Sequence, residues 1–274
     1  MTARTATPAR RPVSRPVPRT RRRRALIAVG GVVALTVFVG GCGASAGEDD
    51  DPEQRSFALQ GRTLTVDSDD SALDVVAADV DRVRVTRWFK GQTVLGEDPE
   101  VTWSMSGDDT LRLRVRCDGF VSDCAARHKI EVPRDVAVRV STEDGRVTAS
   151  GFRTALKIHS DDGRVTVEDT SGPLDLGSKD GAVEARGVAS KEIEARSDDG
   201  RVRLGLTSVP DRVEAVSRDG SVLIDLPDAS AGYKVTADSN DGSVDVGVPR
   251  DEHSANAVTA HSDDGSVRVR SAGS

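Results

Sequence analysis

The second half of the chain repeats one short pattern seven times. S/T-x-D-G-x-V begins at Thr142 (TEDGRV), Ser160 (SDDGRV), Ser178 (SKDGAV), Ser197 (SDDGRV), Ser217 (SRDGSV), Ser239 (SNDGSV) and Ser262 (SDDGSV). Its turn pairs are Asp144-Gly145, Asp162-Gly163, Asp180-Gly181, Asp199-Gly200, Asp219-Gly220, Asp241-Gly242 and Asp264-Gly265, and the glycines follow one another at 18, 18, 19, 20, 22 and 23 residues. Self-similarity at a near-constant period marks stacked supersecondary units, each too small to bury its own apolar face. A degenerate copy lies earlier, at Ser68-Asp69-Asp70-Ser71-Ala72-Leu73, with Ser in place of Gly.

Each unit reads as two short strands around the D-G corner. Leu156-Lys157-Ile158-His159 and Val258-Thr259-Ala260-His261 alternate before it; Val165-Thr166-Val167, Val202-Arg203-Leu204 and Val267-Arg268-Val269 alternate after it. Period-two alternation marks strands with one buried face, and no stretch holds a 3.6-residue apolar period over three turns, so the chain is all-β. Asp-Gly supplies a residue that accepts positive φ, which suits a hairpin turn or the corner of a solenoid coil. Hairpins pair strands within a unit, whereas a solenoid pairs each strand with its copy in the next. A constant period with repeated side-chain identities favours a β-solenoid-like stack of about seven two-strand repeats over 141–274; a β-sandwich of hairpins is the alternative. Only 3% of residues are aromatic, as suits a thin core of Val, Leu, Ile and Ala.

Stacking places the seven turn aspartates in one column. Coils about 4.8 Å apart leave neighbouring carboxylates repelling by about 0.9 kcal/mol in water. Capping of each turn's own N–H groups by its Asp, with Arg146, Arg164 and Arg201 interleaved, would offset this. Pairs such as Asp161-Asp162 are also hard-oxygen calcium ligands, but neither EF-hand spacing nor the glycine-rich calcium nonapeptide is present. No metal or other cofactor is expected.

Residues 56–140 differ. They hold both tryptophans, Trp88 and Trp103, and alternating runs such as Val80–Val85 and Thr110–Arg116, and they are expected to form a β-rich cap on the stack. At the other end Val267-Arg268-Val269-Arg270 is the expected terminal strand, its arginines discouraging edge-to-edge association. Cys117 and Cys124 lie seven apart in CDGFVSDC. An exported domain with two such thiols pairs them across a hairpin loop more readily than it builds a zinc site without nearby His ligands.

The first 41 residues carry nine arginines and no acid, and end in an apolar run of 17 residues, Ala25 to Gly41. A basic n-region before an apolar h-region is the layout of an export signal; an uncleaved anchor is the alternative, though a spanning helix takes about 20 residues. Val39-Gly40-Gly41-Cys42 resembles the lipobox of bacterial lipoproteins. That resemblance implies cleavage before Cys42 and membrane attachment through acyl chains on its thiol and the new amino terminus. Arg23-Arg24-Ala25-Leu26-Ile27 loosely resembles a twin-arginine signal, and a general secretory signal fits better. Removing 1–41 takes the formal charge from −7 to −16. Residues 42–55, small and acidic, read as a disordered tether. An acidic domain with few rings has neither the cationic face nor the stacking platform of a nucleic-acid binder.

Ile130-Glu131-Val132-Pro133-Arg134-Asp135-Val136, the S-x-D-G-x-V units and the later Val246-Gly247-Val248-Pro249 together resemble the bacterial putative-adhesin domain family, over about 56–270. The resemblance implies a β-solenoid-like, envelope-associated protein, often a lipoprotein, without established enzyme activity, and it supplies no functional residues. His159-Ser160-Asp161 and His261-Ser262-Asp263 mimic a catalytic triad, but adjacent strand residues point to opposite faces; His128 and His253 stand apart from the repeat. A polysaccharide lyase or hydrolase would need one distinctive acid pair, and every acid pair here copies the others. The expectation is a lipid-anchored, non-catalytic scaffold at the outer face of the cytoplasmic membrane that binds an envelope protein or glycan. An accessory or sensory subunit of an envelope-stress system is the alternative.

Overall fold

A computed structural model describes residues 49–228 and 232–272, all of them in strands, turns and loops. The N-terminal part contains β1 (Glu53–Phe57), β2 (Thr63–Ser68), β3 (Ala72–Ala78), β4 (Val83–Gly96), β5 (Glu100–Met105), β6 (Thr110–Arg116) and β7 (Gly119–Pro133). Seven two-strand coils follow. They are β8 (Ala137–Thr142) with β9 (Val147–Ser150), β10 (Leu156–Ser160) with β11 (Val165–Glu168), β12 (Leu174–Ser178) with β13 (Val183–Val188) and β14 (Glu192–Ser197) with β15 (Val202–Leu206). The last three are β16 (Arg212–Ser217) with β17 (Val222–Leu226), β18 (Lys234–Ser239) with β19 (Val244–Gly247) and β20 (Ala257–Ser262) with β21 (Val267–Ser271).

The two strands of a coil belong to different sheets, and the S-x-D-G corner carries the chain between them. First strands join a ten-stranded sheet, β18-β20-β16-β14-β12-β10-β8-β2-β6-β5; second strands join an eleven-stranded sheet, β1-β4-β7-β3-β9-β11-β13-β15-β17-β21-β19. Pairing between coils is parallel and in register. Ile158 sits between Val140 and Leu176, and Val165 between Val147 and Val183. This is the β-solenoid arrangement; a sandwich of hairpins would pair antiparallel within each unit. Inward residues alternate with outward ones, as in the buried Leu156, Ile158 and Ser160 of β10. One core of Val, Leu, Ile and Ala runs from Leu64 to Val269, each fully buried side chain contributing about 1.5–3 kcal/mol.

The degenerate copy is a coil: β2 pairs parallel with β8, and β3 with β9. The cap expected at 56–140 therefore contains part of the stack itself. β6 and β7 add one more parallel level, against β2 and β3; beyond them the pairing turns antiparallel, with β4 against β7, β1 against β4 and β5 against β6, so the parallel template ends there. Residues 53–55, counted with the acidic tether, are the start of β1. The rest of the tether up to residue 48, with the leader and Cys42, lies outside the described residues.

One expectation fails at the far end. The seventh copy is inserted between the fifth and the sixth, so β19 and β18 are the edge strands and Val267–Arg270 lies inside the sheet. Charge pairing favours the exchange. In this order Arg270 sits beside Asp225 and Arg268 beside Asp245, with Arg270 Nε 2.5 Å from Asp225 Oδ1 and Arg268 Nε 3.4 Å from Asp245 Oδ2. The inward residues of the seventh copy, Val258, Ala260, Val267 and Val269, are buried, whereas Val244 of the sixth is 43% exposed. The inward residues of the sixth copy, Val235, Ala237, Val244 and Val246, are of the same types, so the exposure of Val244 follows from its place at the edge. The edge is blunted where Pro249 and Asp251 bond to the backbone of Tyr233 just before β18, a cover that discourages edge association.

Candidate functional site

The repeat corner is held by serine and not by aspartate. Oγ of Ser160, Ser178, Ser197, Ser217, Ser239 and Ser262 each accepts the N–H of the glycine three residues on, at 2.9–3.0 Å. Five of these hydroxyls donate to the glycine carbonyl of the neighbouring coil, Ser178 to Gly163, Ser197 to Gly181, Ser217 to Gly200, Ser262 to Gly220 and Ser239 to Gly265, at 2.8–3.0 Å. The result is a ladder threading the stack. Glycine is required for close approach: a Cβ on Gly163, Gly181, Gly200 or Gly220 would overlap the glycine carbonyl one coil back, and one on Gly145 would overlap Ser71 O. The expected positive φ is absent from these seven glycines and occurs instead at Gly151, Gly187 and Gly232.

Asp144, Asp162, Asp180, Asp199, Asp219, Asp264 and Asp241, in spatial order, form an exposed column. Among the described residues none of them caps its own turn, serine having taken the glycine N–H in six of the seven corners, and Arg146, Arg164 and Arg201 form no ion pair with them. A hydrogen bond to Asp162 holds the Asp180 carboxyl above the usual carboxylate range. Desolvation, with the charges of Asp199 and Asp264, does the same to Asp219. The adjoining column compensates: Asp161 meets Lys179 at 2.6 Å and Asp198 meets Arg218 at 3.3 Å. Among the described residues no group of three or more His, Cys, Asp or Glu side chains could hold a metal ion.

The histidines divide as strand geometry requires. Ser160 is buried while the His159 side chain is 53% exposed on the opposite face, so the two share no relay. The His261 ring lies between Asp238 (2.7 Å) and Asp263 (3.1 Å), which raise its pKa. His253 is exposed beside Asp251. His128 points into the core at the cap and is fully buried, with no hydrogen-bond partner at either ring nitrogen. Trp103 lies 6.3 Å from it, with the guanidinium groups of Arg55 and Arg87 over the indole at 4.6 and 4.9 Å. This polar plug was missed at the sequence level; its signal was Arg87 standing at an inward position in the alternation Val83, Val85, Arg87. Cys117 and Cys124 form a disulfide, Cα–Cα 6.3 Å. It joins the end of β6 in one sheet to β7 in the other, not the two sides of a hairpin.

A trough of about 550 Å³ crosses the outer face of the ten-stranded sheet from β8 to β16. Its floor is a column of small residues, Ala137, Ala155 and Pro173, one from each of three coils. Its wall is the in-register column Arg139, Lys157, Asp175, Glu194, Glu214. Glu192 and Arg212 stand where the next coils would continue the floor and so close that end. Lys157 neutralises Asp175 at 2.5 Å, and Arg196 bridges Glu194 and Glu214 at 2.7 Å each. Arg139 and Glu192, at opposite ends, have no ion pair among the described residues. None of the lining residues is aromatic.

Two crystal structures are similar to the chain. One is described as a putative cell adhesion protein from Clostridium sporogenes ATCC 15579 (13% identity, 81% of this chain and 99% of that one, TM-score 0.35). The other is described as a putative adhesin from Bacteroides fragilis NCTC 9343 (12% identity, 81% and 98%, TM-score 0.49). No curated protein matches. Residues 123–272, more than half of the chain, match the family model described as Toastrack DUF4097. The chain, a β-solenoid built on a serine–glycine ladder, belongs to the Toastrack DUF4097 family.

Proposed function

We propose that this protein is an exported, lipid-anchored, non-catalytic scaffold that presents the outer face of its ten-stranded sheet to a partner in the cell envelope. The trough carries the reading. It is a concave surface spanning five coils, half apolar and half charged, with polar side chains held in place by ion pairs. Concave surfaces built along a stack are where repeat proteins bind. A non-catalytic role follows from the chemistry of the repeat, since its serines are committed to the ladder and its acid pairs are copies of one structural corner. Export and anchoring rest on the basic leader and the lipobox-like Val39-Gly40-Gly41-Cys42.

The test uses photo-crosslinking residues on intact cells, placed at Ala155 in the trough and at Thr166 on the outer face of the other sheet. Adducts at residue 155 and not at residue 166 are expected, with the protein in the membrane fraction and Cys42→Ala releasing it or leaving a precursor. No adduct at residue 155, or cleavage of wall polymers by the purified chain, would refute the scaffold; unchanged processing of Cys42→Ala would refute the anchor.

A further inference from the structure

We infer that the trough is a site for an extended polypeptide segment carrying opposite charges about four residues apart; the inference rests on the proposed binding role of this face. The trough has a built-in electrical direction. Arg139 lies at one end; at the other, three acids, Glu192, Glu194 and Glu214, outnumber the two arginines there, Arg196 and Arg212, which pair with Glu194 and Glu214. The middle is neutral because Lys157 and Asp175 pair, and the two termini of the polarity, Arg139 and Glu192, are unpaired among the described residues. A ligand that satisfies both ends must itself be bipolar.

Length follows from the ladder. Arg139, Lys157, Asp175 and Glu194 occupy successive strands in register, and Glu192 stands two residues before Glu194, so the unpaired ends are three inter-strand steps across and two residues along, or about 16 Å, apart. An extended peptide rises about 3.3 Å per residue, so four residue steps cover about 13 Å of that distance and the two charged side chains reach across the rest. The floor of Ala137, Ala155 and Pro173 leaves room for small apolar side chains. The outward residues sit on strands whose backbone groups are used between coils, so β-augmentation is unavailable and the ends supply the affinity. The absence of a ring from the lining disfavours a neutral glycan, which would stack on aromatic faces. Exposed charge contacts give modest, salt-sensitive binding.

The full chain in detergent is titrated calorimetrically with acetyl-Lys-Ala-Ala-Ala-Asp-amide. Acetyl-Lys-Ala-Ala-Ala-Lys-amide, acetyl-Asp-Ala-Ala-Ala-Asp-amide and an uncharged chitin oligomer serve as comparisons. The bipolar peptide is expected to bind most tightly and to weaken as salt is raised. Arg139→Glu and Glu192→Lys should each lower its affinity about fivefold, and the double variant should recover part of that loss because the peptide can turn round. Recovery separates polarity from damage to the fold. Equal binding of all three peptides, no peptide binding, preference for the glycan, or variants that leave the ranking unchanged would overturn the inference. If crosslinks at residue 155 persist on cells while the peptide fails to bind, only the ligand class falls; if the crosslinks are also absent, the binding role falls with it.

Discussion

Ser197 shows how much one hydroxyl can do when backbones are stacked this closely. It accepts the N–H of Gly200 and donates to the carbonyl of Gly181 in the adjacent coil, so Ser197→Ala leaves two backbone groups without partners at a buried corner. The expected loss is about 1–3 kcal/mol in denaturant unfolding, while Ser197→Thr keeps a hydroxyl and should lose less; Thr142 fills the equivalent place in the first copy, with its hydroxyl donating to Asp69 O. Loss in Ala equal to loss in Thr would count against the ladder. His128 makes a second residue-scale prediction. Burial, then the charge of Arg87 paired with it across β4 and β7, lowers its pKa from 6.5 to about 4. Around it Leu73 faces from β3 and Trp103 from β5, with Glu53 of β1 the acid bound to Arg87. The native state therefore refuses a proton that the unfolded chain accepts. Stability is fully present above about pH 6.5 and declines as pH falls toward about 4, by about 3 kcal/mol in total. A His128→Leu variant, melted alongside the natural protein from pH 7 to 4.5, should lack that part of the acid slope; parallel slopes would show that His128 is protonated without opening the cap.

At the scale of elements, the strands and their pairing partners were readable because alternation and period report directly on which face is buried and which copy stacks on which. Positions such as Leu156, Ile158, Val165 and Val167 name the core in plain text. The order of the last two coils was not readable. SNDGSV and SDDGSV are nearly the same corner, and what separates them is the pairing of Arg270 with Asp225, 45 residues earlier in the chain; the Arg268–Asp245 pair joins β21 to β19 in either order. The order can be tested by disulfide formation. Leu223 and Arg268 are register partners on adjacent strands, about 4.8 Å apart and within the Cα range of a disulfide. Leu223 and Asp245 are two strands apart, at about twice that distance. Leu223→Cys with Arg268→Cys should oxidise to an intramolecular bridge, and Leu223→Cys with Asp245→Cys should not; the reverse result would restore sequential stacking. The trough is not legible in the sequence for a related reason. Ala137, Ala155 and Pro173 are unremarkable one at a time, and only parallel in-register stacking turns them into a floor.

At the scale of the whole stack, each coil touches only its neighbours, so stability should behave as a sum of coil and interface contributions. Removing one internal coil is a direct test. Ser160 and Ser178 hold equivalent positions, each capping its glycine and paired in register, so deleting residues 161–178 joins Ser160 to Lys179 without changing the phase of either sheet. The new corner places Lys179 beside Glu143, exchanging the present Lys179–Asp161 pair for another of opposite charges. The shortened chain should keep an all-β circular dichroism spectrum and one cooperative transition. Its denaturant slope should fall in proportion to the surface lost, since that slope follows the area exposed on unfolding. Deleting residues 161–169 instead shifts the repeat by half a coil, putting an inward strand of one sheet where the other sheet's strand belongs, and should abolish folding. If the two deletions were equally damaging, the coils would not be independent modules, and the seven-fold repeat would mark a single cooperative block.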